Sequence, residues 1–592
     1  MAKKFIDIMD TTFRDGFQSV FGGRVLMDDF FPAVEAAKEA GITHFEFGGG
    51  ARFQSLYFYL NEDAFTMMDR FREIVGPDAN LQTLARGVNT VMLDTGSREL
   101  IDMHAKLFKK HGTTTIRNFD ALNDVENLKY SGERISHHGL KHEVVVTMMD
   151  LPPGCHGAHD VGFYEKTLRE ILDSGIPYDS ICFKDASGTS SPKKVYETIK
   201  MARGLVPEDT HLRLHTHETA GVSVSAYMAA LDAGIDGIDM AAAPVSGGTS
   251  QPDILTMLHA TKGMDYDLGG LEIDKILTYE KEVQASLEDY FMPPEATMVS
   301  PLIPFSPMPG GALTANTQMM RDNGILERFP DVIDAMREVV ERGGYGTSVT
   351  PVSQFYFQQA LNNVMQGPWK AIAPGYGKMV LGYFGKTPVA PDPEIVKIAS
   401  EKMDLEPTTK KVLELTDADP TKSLGHWENI LKEEGIETSE ENIFIAAACQ
   451  EKGIAFLKGE AEVNVRKNSD IQTEETSMAA GNYTVVVDGQ QFSVQVAEGS
   501  GDIQVVAASG ETAAPADTAT GVGIDIKALL PGAVWKIVAN PGQSVAEGDV
   551  IMILESMKME IDVVAPKGGV IKSINVAVND KVVEGQLVAV IG

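Results

Sequence analysis

The sequence predicts an α/β protein in which a TIM-type (β/α)8 barrel is followed by a helical domain and by a small C-terminal β-sandwich on a flexible linker. Three observations predict this architecture. Short β-rich segments alternate with amphipathic helical segments over the first half of the chain, the strand signal is then lost, and roughly the last 70 residues contain an internal repeat. A chain of 592 residues has room for several such bodies.

The barrel is expected to span residues 1–305. Stretches such as DDFFPAVEAAKEAG carry apolar residues at helical spacing and end in glycine. About eight β-then-α units of this size fit within the segment, and such units form parallel sheets. Strand-like segments lie at 5–10, 43–49, 142–150, 179–185, 211–217 and 236–242.

A helical domain is expected over residues 306–470, where runs such as PDVIDAMREVVERGG and PEIVKIASEKM replace the strand pattern. A helical domain that follows a barrel either covers an outer surface or forms a wall of the active-site mouth. Its position in the chain leaves both alternatives open.

The C-terminal part divides into three expected segments. Residues 476–508 predict a small β-hairpin association segment, because YTVVVDGQQFSVQV alternates around Asp488-Gly489. Residues 509–521 are rich in Ala, Thr, Gly and Pro and predict a flexible linker. Within 522–592 the segment from Gly532 recurs 37 residues later from Gly569. Two strand-rich halves predict a pseudo-symmetric β-sandwich, and Lys558 lies between them.

Composition excludes several classes of protein. The 51 basic residues against 84 acidic ones give a formal charge of −33, which would repel a phosphate backbone, so no nucleic-acid partner is expected. Cys155, Cys182 and Cys449 lie far apart and predict no disulfide framework, which fits the cytoplasm. We see neither a signal-peptide pattern nor an apolar run that would insert into a membrane.

A metal site is suggested at the ends of the expected strands. His215 and His217 project from one face of a strand, and two neutral imidazoles can bind one transition metal. Asp15 could add an oxygen ligand, and Lys184 ends the preceding strand. Active sites of TIM barrels gather at these carboxyl ends. By itself, however, such a histidine pair is more often two solvent-facing side chains, and the residues at the other strand ends are what favour a metal site.

A series of motifs runs along the chain. Near its end, the segment Glu-Ser-Met-Lys-Met at 555–559 resembles a biotin attachment site. The motifs before it are, in order, DTTFRDGFQS, GGARF, LARGVN, RNFDALND, CFKDASG, HTHETAG, SGGTSQP, PGG and SVTP. Together they resemble the biotin-dependent carboxyltransferase family that acts on 2-oxo acids, over nearly the whole chain. The resemblance implies a carboxyltransferase barrel, a helical domain that completes the active site, and a biotinyl carrier domain at 522–592.

The resemblance also implies two cofactors. Biotin would be attached covalently to Lys558, with Met557 and Met559 recognised by a biotin protein ligase. A divalent metal, Zn, Mn or Co, would be held by the family's four ligands. In this sequence they are Asp15, carbamylated Lys184, His215 and His217.

Four further residues acquire roles through the resemblance. Arg86 matches the arginine that pairs with the substrate carboxylate, Gln18 matches a residue that hydrogen-bonds the oxo acid, and Arg14 matches one that braces the site. Thr350 matches the proton shuttle between biotin and the substrate methyl group. Gly16, Phe17, Phe47, Ala186 and Ala312 depart from the family's usual residues. All five lie in motifs that the resemblance places around the mouth, so a 2-oxo acid other than pyruvate stays open.

The implied function is that of a carboxyltransferase plus biotin carrier subunit of the split pyruvate carboxylase type. CO2 would move from carboxybiotin to pyruvate, through an enolate, to form oxaloacetate. Nothing in the sequence resembles an ATP-binding carboxylase module, so a separate biotin carboxylase subunit is expected, together with a homo-oligomeric assembly.

Three alternatives stay open. The chain could be the α subunit of a membrane-associated, sodium-pumping oxaloacetate decarboxylase, or it could carboxylate another 2-oxo acid such as 2-oxoglutarate. An aldol-type lyase of the HMG-CoA lyase group would share the Arg-Asp-Gly turn and the histidine pair. It would give no role to Lys184, Thr350 or the Lys558 motif.

Overall fold

The computed structural model describes residues 3–469, 481–487, 490–496, 524–528, 532–556, 559–578, 580–582 and 585–592. The chain divides into two units, Met1–Val465 and Arg466–Gly592, and each is described by itself. The linker expected at 509–521 lies outside the described residues.

The first unit contains the predicted barrel. Its eight parallel strands are β1 (Lys4–Asp10), β2 (His44–Gly49), β3 (Asn80–Ala85), β4 (Thr115–Asn118), β5 (Lys141–Thr147), β6 (Ser180–Asp185), β7 (His211–Thr216) and β8 (Gly237–Met240). The ring closes because β1 pairs with both β8 and β2. Strands β3 and β4 were not among the predicted segments, since β4 has only four residues and both strands carry polar side chains into the barrel interior. A short strand β9 (Tyr266–Leu268) extends the sheet beside β1.

Helices alternate with these strands and begin at recognisable caps. The side chains of Asp63, Ser97, Asp160 and Ser191 each accept a hydrogen bond from a backbone N–H of the first turn that follows. The helices are α1 (Phe17–Phe21), α2 (Met27–Glu39), α3 (Gly50–Ser55), α4 (Ala64–Val75), α5 (Arg98–Lys110), α6 (Glu126–His137), α7 (Val161–Asp173), α8 (Pro192–Leu205), α9 (Ser223–Ala233), α10 (Ile254–Ala260) and α11 (Ile273–Ser286).

The elements between residues 310 and 457 are all helical, as predicted. They include α12 (Gly310–Asp322), α13 (Phe329–Arg342), α14 (Val352–Gln366), α15 (Pro374–Val380), α16 (Pro393–Met403), α17 (Val412–Asp417), α18 (Leu424–Glu433) and α19 (Glu440–Leu457). Among the described residues, no helix is both long and apolar enough to cross a membrane.

The last helix, α19, packs back onto the outside of the barrel. The ring of Phe444 lies 5.5 Å from that of Phe53 and 6.2 Å from that of Phe108, measured between centroids. Phe456 similarly contacts Tyr57, with centroids 4.8 Å apart. Phe444 is fully buried and belongs to the same apolar core as the barrel strands. The helical segment therefore shares the core of the barrel in one unit.

The second unit contains a hairpin and a two-sheet sandwich. Strands β10 (Gly481–Val487) and β11 (Gln490–Val496) pair antiparallel. The sandwich strands are β12 (Ile524–Lys527), β13 (Gly532–Ile537), β14 (Ser544–Val545), β15 (Val550–Ser556), β16 (Met559–Val564), β17 (Gly569–Ile574), β18 (Lys581–Val582) and β19 (Leu587–Ile591). One sheet has the order β12-β19-β17-β14 and the other β16-β15-β13-β18. Each sheet takes strands from both repeats, which confirms the predicted pseudo-symmetric sandwich.

Candidate active site at the barrel mouth

The carboxyl ends of three strands bring the four expected metal ligands together. Asp15 lies in a π-helical turn, Thr12–Gly16, that follows β1 almost directly. Lys184 belongs to β6 and His215 to β7, and the two residues are paired in the register of these strands. His217 follows the end of β7. All four side chains are buried at the same end of the barrel.

Asp15, His215 and His217 present three ligand atoms to one point. Oδ2 of Asp15 lies 3.2 Å from Nε2 of His215 and 3.4 Å from Nε2 of His217. The two imidazole Nε2 atoms are 3.1 Å apart. Within the described part of the chain, these residues form a cluster with the composition of a metal site.

Hydrogen bonds behind the two imidazoles fix which nitrogens face this point. Nδ1 of His217 donates to the backbone carbonyl of Thr249 at 2.7 Å, and a carbonyl can only accept. Nδ1 of His215 donates to Oδ2 of Asp239 at 2.8 Å. Both Nε2 atoms therefore direct lone pairs at each other and at the Asp15 carboxylate. Three converging electron-rich atoms repel one another unless a cation or a hydrogen-bond donor lies beside them. A carboxylate and two imidazoles are also a donor set that fits a divalent metal.

Charged neighbours keep Asp15 ionised. Burial raises the pKa of Asp15, but neighbouring positive charge, Arg14 foremost, lowers it well below its usual range. Nζ of Lys184 lies 3.7 Å from Oδ2 of Asp15 and has no hydrogen-bond partner among the described residues. Burial lowers the pKa of Lys184, with Asp15 opposing the effect. The neutral amine is the form that adds to CO2, so this environment is compatible with the expected carbamate, which stays a prediction.

Arg86 has unpaired hydrogen-bond donors and lines the same pocket as Asp15, Lys184 and His217. Its Nη1 donates to the backbone carbonyls of Val91 at 2.7 Å and Met92 at 3.1 Å. Its Nε and Nη2 are buried and have no hydrogen-bond partner in the described chain. Burial, with Arg14 nearby, lowers the pKa of Arg86 to about 9, so the guanidinium is still cationic at neutral pH. A buried cation with free N–H groups is suited to a carboxylate ligand.

Arg14 links the metal cluster to Gln18. Its Nε donates to Oε2 of Glu46 at 2.8 Å, and its Nη2 lies 3.0 Å from Oδ2 of Asp15. Its Nη1 is 3.5 Å from Oε1 of Gln18, which is a weak contact. Arg14 is therefore held by the carboxylate of Glu46 and in turn orients the carboxylate of Asp15 toward the mouth.

One pocket reaches nearly all of these groups and includes part of the helical segment. Its lining residues are Arg14, Asp15, Gln18, Leu84, Arg86, Phe119, Lys184, Ala186, His217, Pro309, Gly311, Ala312, Val349 and Thr350. Thr350 precedes α14, and its neighbour Thr347 is attached to the barrel by a backbone bond to Ala121 and by a 2.8 Å contact with the Thr147 hydroxyl. The helical segment therefore realises both alternatives: residues between 309 and 350 form a wall of the mouth, while α19 covers an outer surface of the barrel.

The helical wall approaches the histidines very closely at Gly310. A Cβ atom at this position would lie 1.6 Å from the carbonyl oxygen of Thr249 and 3.0 Å from Nδ1 of His217. Only glycine permits this approach, which explains the glycine that follows Pro309.

The departures from family residues differ in their position. Ala186 and Ala312 line the pocket. Gly16, Phe17 and Phe47 are buried and do not line it. The rings of Phe17 and Phe47 pack in the apolar core, where aromatic side chains of this size are favourable.

Sequence reasoning missed two polar residues beside the histidines. Asp239 holds His215 and also binds Arg117 and Arg213 inside the barrel. The sequence did contain a signal for Asp239, because an ionisable residue in a buried parallel strand is unusual and indicates a specific partner. Gln251, from the SGGTSQP motif, lies with its amide 3.0 Å from Nε2 of His217.

The expected biotin site is only partly described. Strand β15 ends at Ser556, β16 begins at Met559, and these two residues are paired antiparallel. Met557 and Lys558 lie outside the described residues, as does the side chain of Met559.

Comparison with known families supplies the remaining evidence. A family profile described as "Conserved carboxylase domain" matches residues 303–503, and one described as "Biotin-requiring enzyme" matches residues 525–591. The chain belongs to the biotin-dependent carboxyltransferases. Biotin is the covalent cofactor of this carboxyltransferase.

Two full-length relatives and one solved structure are similar to this carboxyltransferase. It is 29% identical to a pyruvate carboxylase subunit of Methanocaldococcus jannaschii, over 94% of each chain. It is 26% identical to the 2-oxoglutarate carboxylase large subunit of Hydrogenobacter thermophilus, over 95% of this chain and 91% of the relative. The carboxyl transferase domain of Rhizobium etli pyruvate carboxylase, solved with pyruvate and biocytin, has a TM-score of 0.69 at 24% identity and 77% coverage of both chains. The last likeness establishes the fold.

Proposed function

We propose that this chain is the carboxyltransferase and carrier subunit of an ATP-dependent pyruvate carboxylase, with biotin attached to Lys558 by a biotin protein ligase. A separate biotin carboxylase subunit would charge the biotin, in keeping with the archaeal relative, which is named as one subunit of a pyruvate carboxylase. The observation that carries the proposal is the pocket in which Arg86, Thr350 and the Asp15 cluster meet.

Charge in the pocket supports a substrate with one carboxylate. Three cationic side chains line it, namely Arg14, Arg86 and Lys184. Arg14 is already paired with Glu46, and Lys184 would lose its charge on carbamylation. Arg86, with two unpaired N–H groups, is then the cation that receives the carboxylate of pyruvate. Gln18, beside Arg14, is positioned to donate to the 2-oxo group.

The chemical step would place each of these residues at a stated atom. The Thr350 hydroxyl would accept a proton from C3 of pyruvate and pass its own proton to the ureido nitrogen. Arg86 holds the substrate so that C3 faces Thr350. A divalent metal held by Asp15, Lys184, His215 and His217 would supply positive charge that stabilises the enolate. Carboxybiotin, when bound, would supply CO2 by cleavage of the bond between its ureido nitrogen and the carboxyl carbon, and the enolate carbon would then attack this CO2. An uncharged hydroxyl suits this relay because no strong base has to persist beside CO2.

A second candidate is the carboxylation of 2-oxoglutarate, favoured by Ala186 and Ala312. Both replace larger residues of the family, and both line the pocket, which leaves room for a longer substrate. The nearly full-length likeness to a 2-oxoglutarate carboxylase subunit supports the same candidate. Against it stands the second carboxylate of 2-oxoglutarate, which would need a further cation.

The test is a reconstituted reaction. The biotinylated chain is mixed with its biotin carboxylase, ATP and bicarbonate, and the products from pyruvate and from 2-oxoglutarate are compared as kcat/KM. Pyruvate should be preferred, and Lys558→Arg should abolish the reaction because no biotin can be attached. Preference for 2-oxoglutarate would replace the first candidate by the second. Sodium-dependent decarboxylation of oxaloacetate without ATP, and no ATP-dependent carboxylation, would identify a decarboxylase subunit instead and end the proposal.

A further inference from the structure

Gln251 lies at the metal cluster, and the family resemblance gave it no role. One atom of its side-chain amide is 3.0 Å from Nε2 of His217, 3.5 Å from Nε2 of His215 and 3.3 Å from Oδ2 of Asp15. Gln251 is fully buried, and it follows β8, close to the strand ends that carry the other three residues. The amide therefore reaches the point at which the lone pairs of Asp15, His215 and His217 converge.

These four atoms form a nearly regular tetrahedron. The six distances between Asp15 Oδ2, the two histidine Nε2 atoms and the amide atom of Gln251 all lie between 3.0 and 3.5 Å. The centre of a tetrahedron with edges of this length is about 2.0 Å from each corner, which is the bond length that zinc makes to nitrogen and oxygen. The fourth corner is the Gln251 amide.

The contacts at Thr11 are compatible with either amide atom of Gln251 at that corner, because the hydroxyl of Thr11 can donate to the amide oxygen or to the carbonyl of Met240. Oγ1 of Thr11 lies 2.9 Å from the carbonyl oxygen of Met240 and 2.7 Å from the second amide atom of Gln251. A hydroxyl has one proton, and a carbonyl can only accept. If Thr11 donates to Met240, the amide atom that faces Thr11 must be the donor, Nε2. A half-turn of the amide plane, which the heavy-atom positions allow, then puts Oε1 at the corner.

We propose that Gln251 is a further ligand of the metal, bound through its amide oxygen and oriented by the hydroxyl of Thr11. The inference rests on the proposed metal centre and adds a neutral oxygen donor to it. Hard and borderline divalent cations accept amide oxygens, so the donor set of carboxylate, two imidazoles and amide stays within the range of Zn, Mn or Co. Carbamylated Lys184 would then add a fifth donor.

Four variants test the inference through metal binding itself. Gln251→Leu removes both polar atoms at similar volume, whereas Gln251→Glu retains an oxygen. Thr11→Val removes the hydroxyl that orients the amide, whereas Thr11→Ser retains it. Gln54→Leu is the matched control, because the amide of Gln54 binds the carbonyl of Ala448 away from the cluster. Metal affinity is measured by competition with a chelator, and the ligand set by visible absorption of the Co(II)-loaded full chain.

We expect Gln251→Leu and Thr11→Val each to weaken metal binding by on the order of 10-fold or more. Gln251→Leu should also change the Co(II) absorption, while Gln251→Glu, Thr11→Ser and Gln54→Leu bind as the wild type does. Unchanged affinity and spectrum in Gln251→Leu would overturn the inference and leave the proposed function intact. Failure of the wild type to bind any metal would instead overturn the metal centre in the proposed function. If Gln251→Leu does not fold, the two Thr11 variants decide the question.

Discussion

Nδ1 of His215 donates a hydrogen bond to the carboxylate of Asp239 at 2.8 Å, and Asp239 is itself held by Arg117 and Arg213. Burial raises the pKa of Asp239, but Arg117, the His215 bond and Arg213 lower it well below its usual range. A fixed carboxylate at this position keeps the proton of His215 on Nδ1 and the lone pair on Nε2. The arginines inside the barrel thus help to determine which nitrogen of His215, a proposed metal ligand, carries the proton.

Asp239→Asn should therefore weaken metal binding. An amide can donate to Nδ1, which would move the imidazole proton to Nε2, the atom that faces the cluster. We expect a loss of about 10- to 100-fold in metal affinity. Asp236→Asn is the matched control. Asp236 immediately precedes β8, the strand that contains Asp239, and it binds Arg203 at the end of the barrel away from the cluster. Equal metal affinities for the two variants would contradict the role given to Asp239.

Arg86→Lys should weaken the use of the 2-oxo acid without affecting biotin. Lysine keeps the charge but loses the planar pair of donors that Nε and Nη2 provide. We expect kcat/KM for pyruvate to fall by about 10- to 100-fold, mainly through KM. Arg72→Lys removes a guanidinium that binds backbone carbonyls elsewhere on the barrel and should leave KM unchanged. A KM unchanged in Arg86→Lys would exclude Arg86 as the carboxylate ligand.

Thr350→Ala should stop proton transfer, whereas Thr350→Ser should retain it. Both variants keep the small side chain at the pocket wall, so only the hydroxyl differs between alanine and serine. Loss of a positioned proton-transfer group costs about 10²- to 10⁴-fold in rate. The readout is exchange of the methyl hydrogens of pyruvate with solvent, together with oxaloacetate formation. Wild-type rates in Thr350→Ala would remove this residue from the mechanism.

Phe444→Ala should destabilise the first unit. Its ring is fully buried against Phe53 and Phe108, so truncation leaves a cavity between α19 and the barrel. We expect a loss of about 3–5 kcal/mol in the free energy of unfolding. Phe305→Ala removes a ring that is 54% exposed and should change it by less than about 0.5 kcal/mol. Thermal and denaturant unfolding of the full chain measure both effects.

His104, in α5 beneath α19, should make the packing of α19 on the barrel less stable at low pH. Burial lowers the pKa of His104 to about 3. The unfolded chain binds a proton near pH 6.5 that the folded chain does not bind, so stability is present above that pH and is lost as the pH falls toward 3. His104→Leu removes this dependence, so the difference in unfolding free energy between variant and wild type should change by about 2 kcal/mol from pH 7 to pH 5. Replacing the exposed His137 by leucine is the control, and parallel curves for wild type and His104→Leu would refute the prediction.

The sequence predicted those features that depend on short-range pattern. Alternation of strand and helix was enough for the barrel, and the 37-residue repeat was enough for the sandwich. The strand period placed His215 and His217 on one face, and the order of motifs indicated Asp15 and Lys184. Contacts between distant segments could not be read in this way. Nothing near Phe444 indicates that its partners are Phe53 and Phe108, because packing of this kind depends on the path of the whole chain.

The residues of the site that the sequence did not predict were missed for a similar reason. A lone glutamine in a loop has no spacing rule that marks it as a ligand, so Gln251 belonged to a motif but had no role of its own. Asp239 was visible as part of a strand, but its partner was not. Phe17 lies in a motif of the mouth, next to the pocket residue Gln18, yet its own ring packs in the apolar core. Whether a side chain turns inward or toward the mouth is decided by packing, which adjacent residues in the sequence do not reveal.

The attachment of α19 to the barrel has a mechanical consequence for the helical wall. The segment that carries Thr350 leaves the barrel after α11, is fastened midway where Thr347 bonds to Ala121, and is fastened again where Phe444 enters the core. A segment attached to the barrel at one end can move as a rigid unit about that end. A segment attached at both ends and in the middle is restrained along its length. Contacts with the barrel on both sides of Thr350 therefore restrict how far this residue can move relative to Arg86.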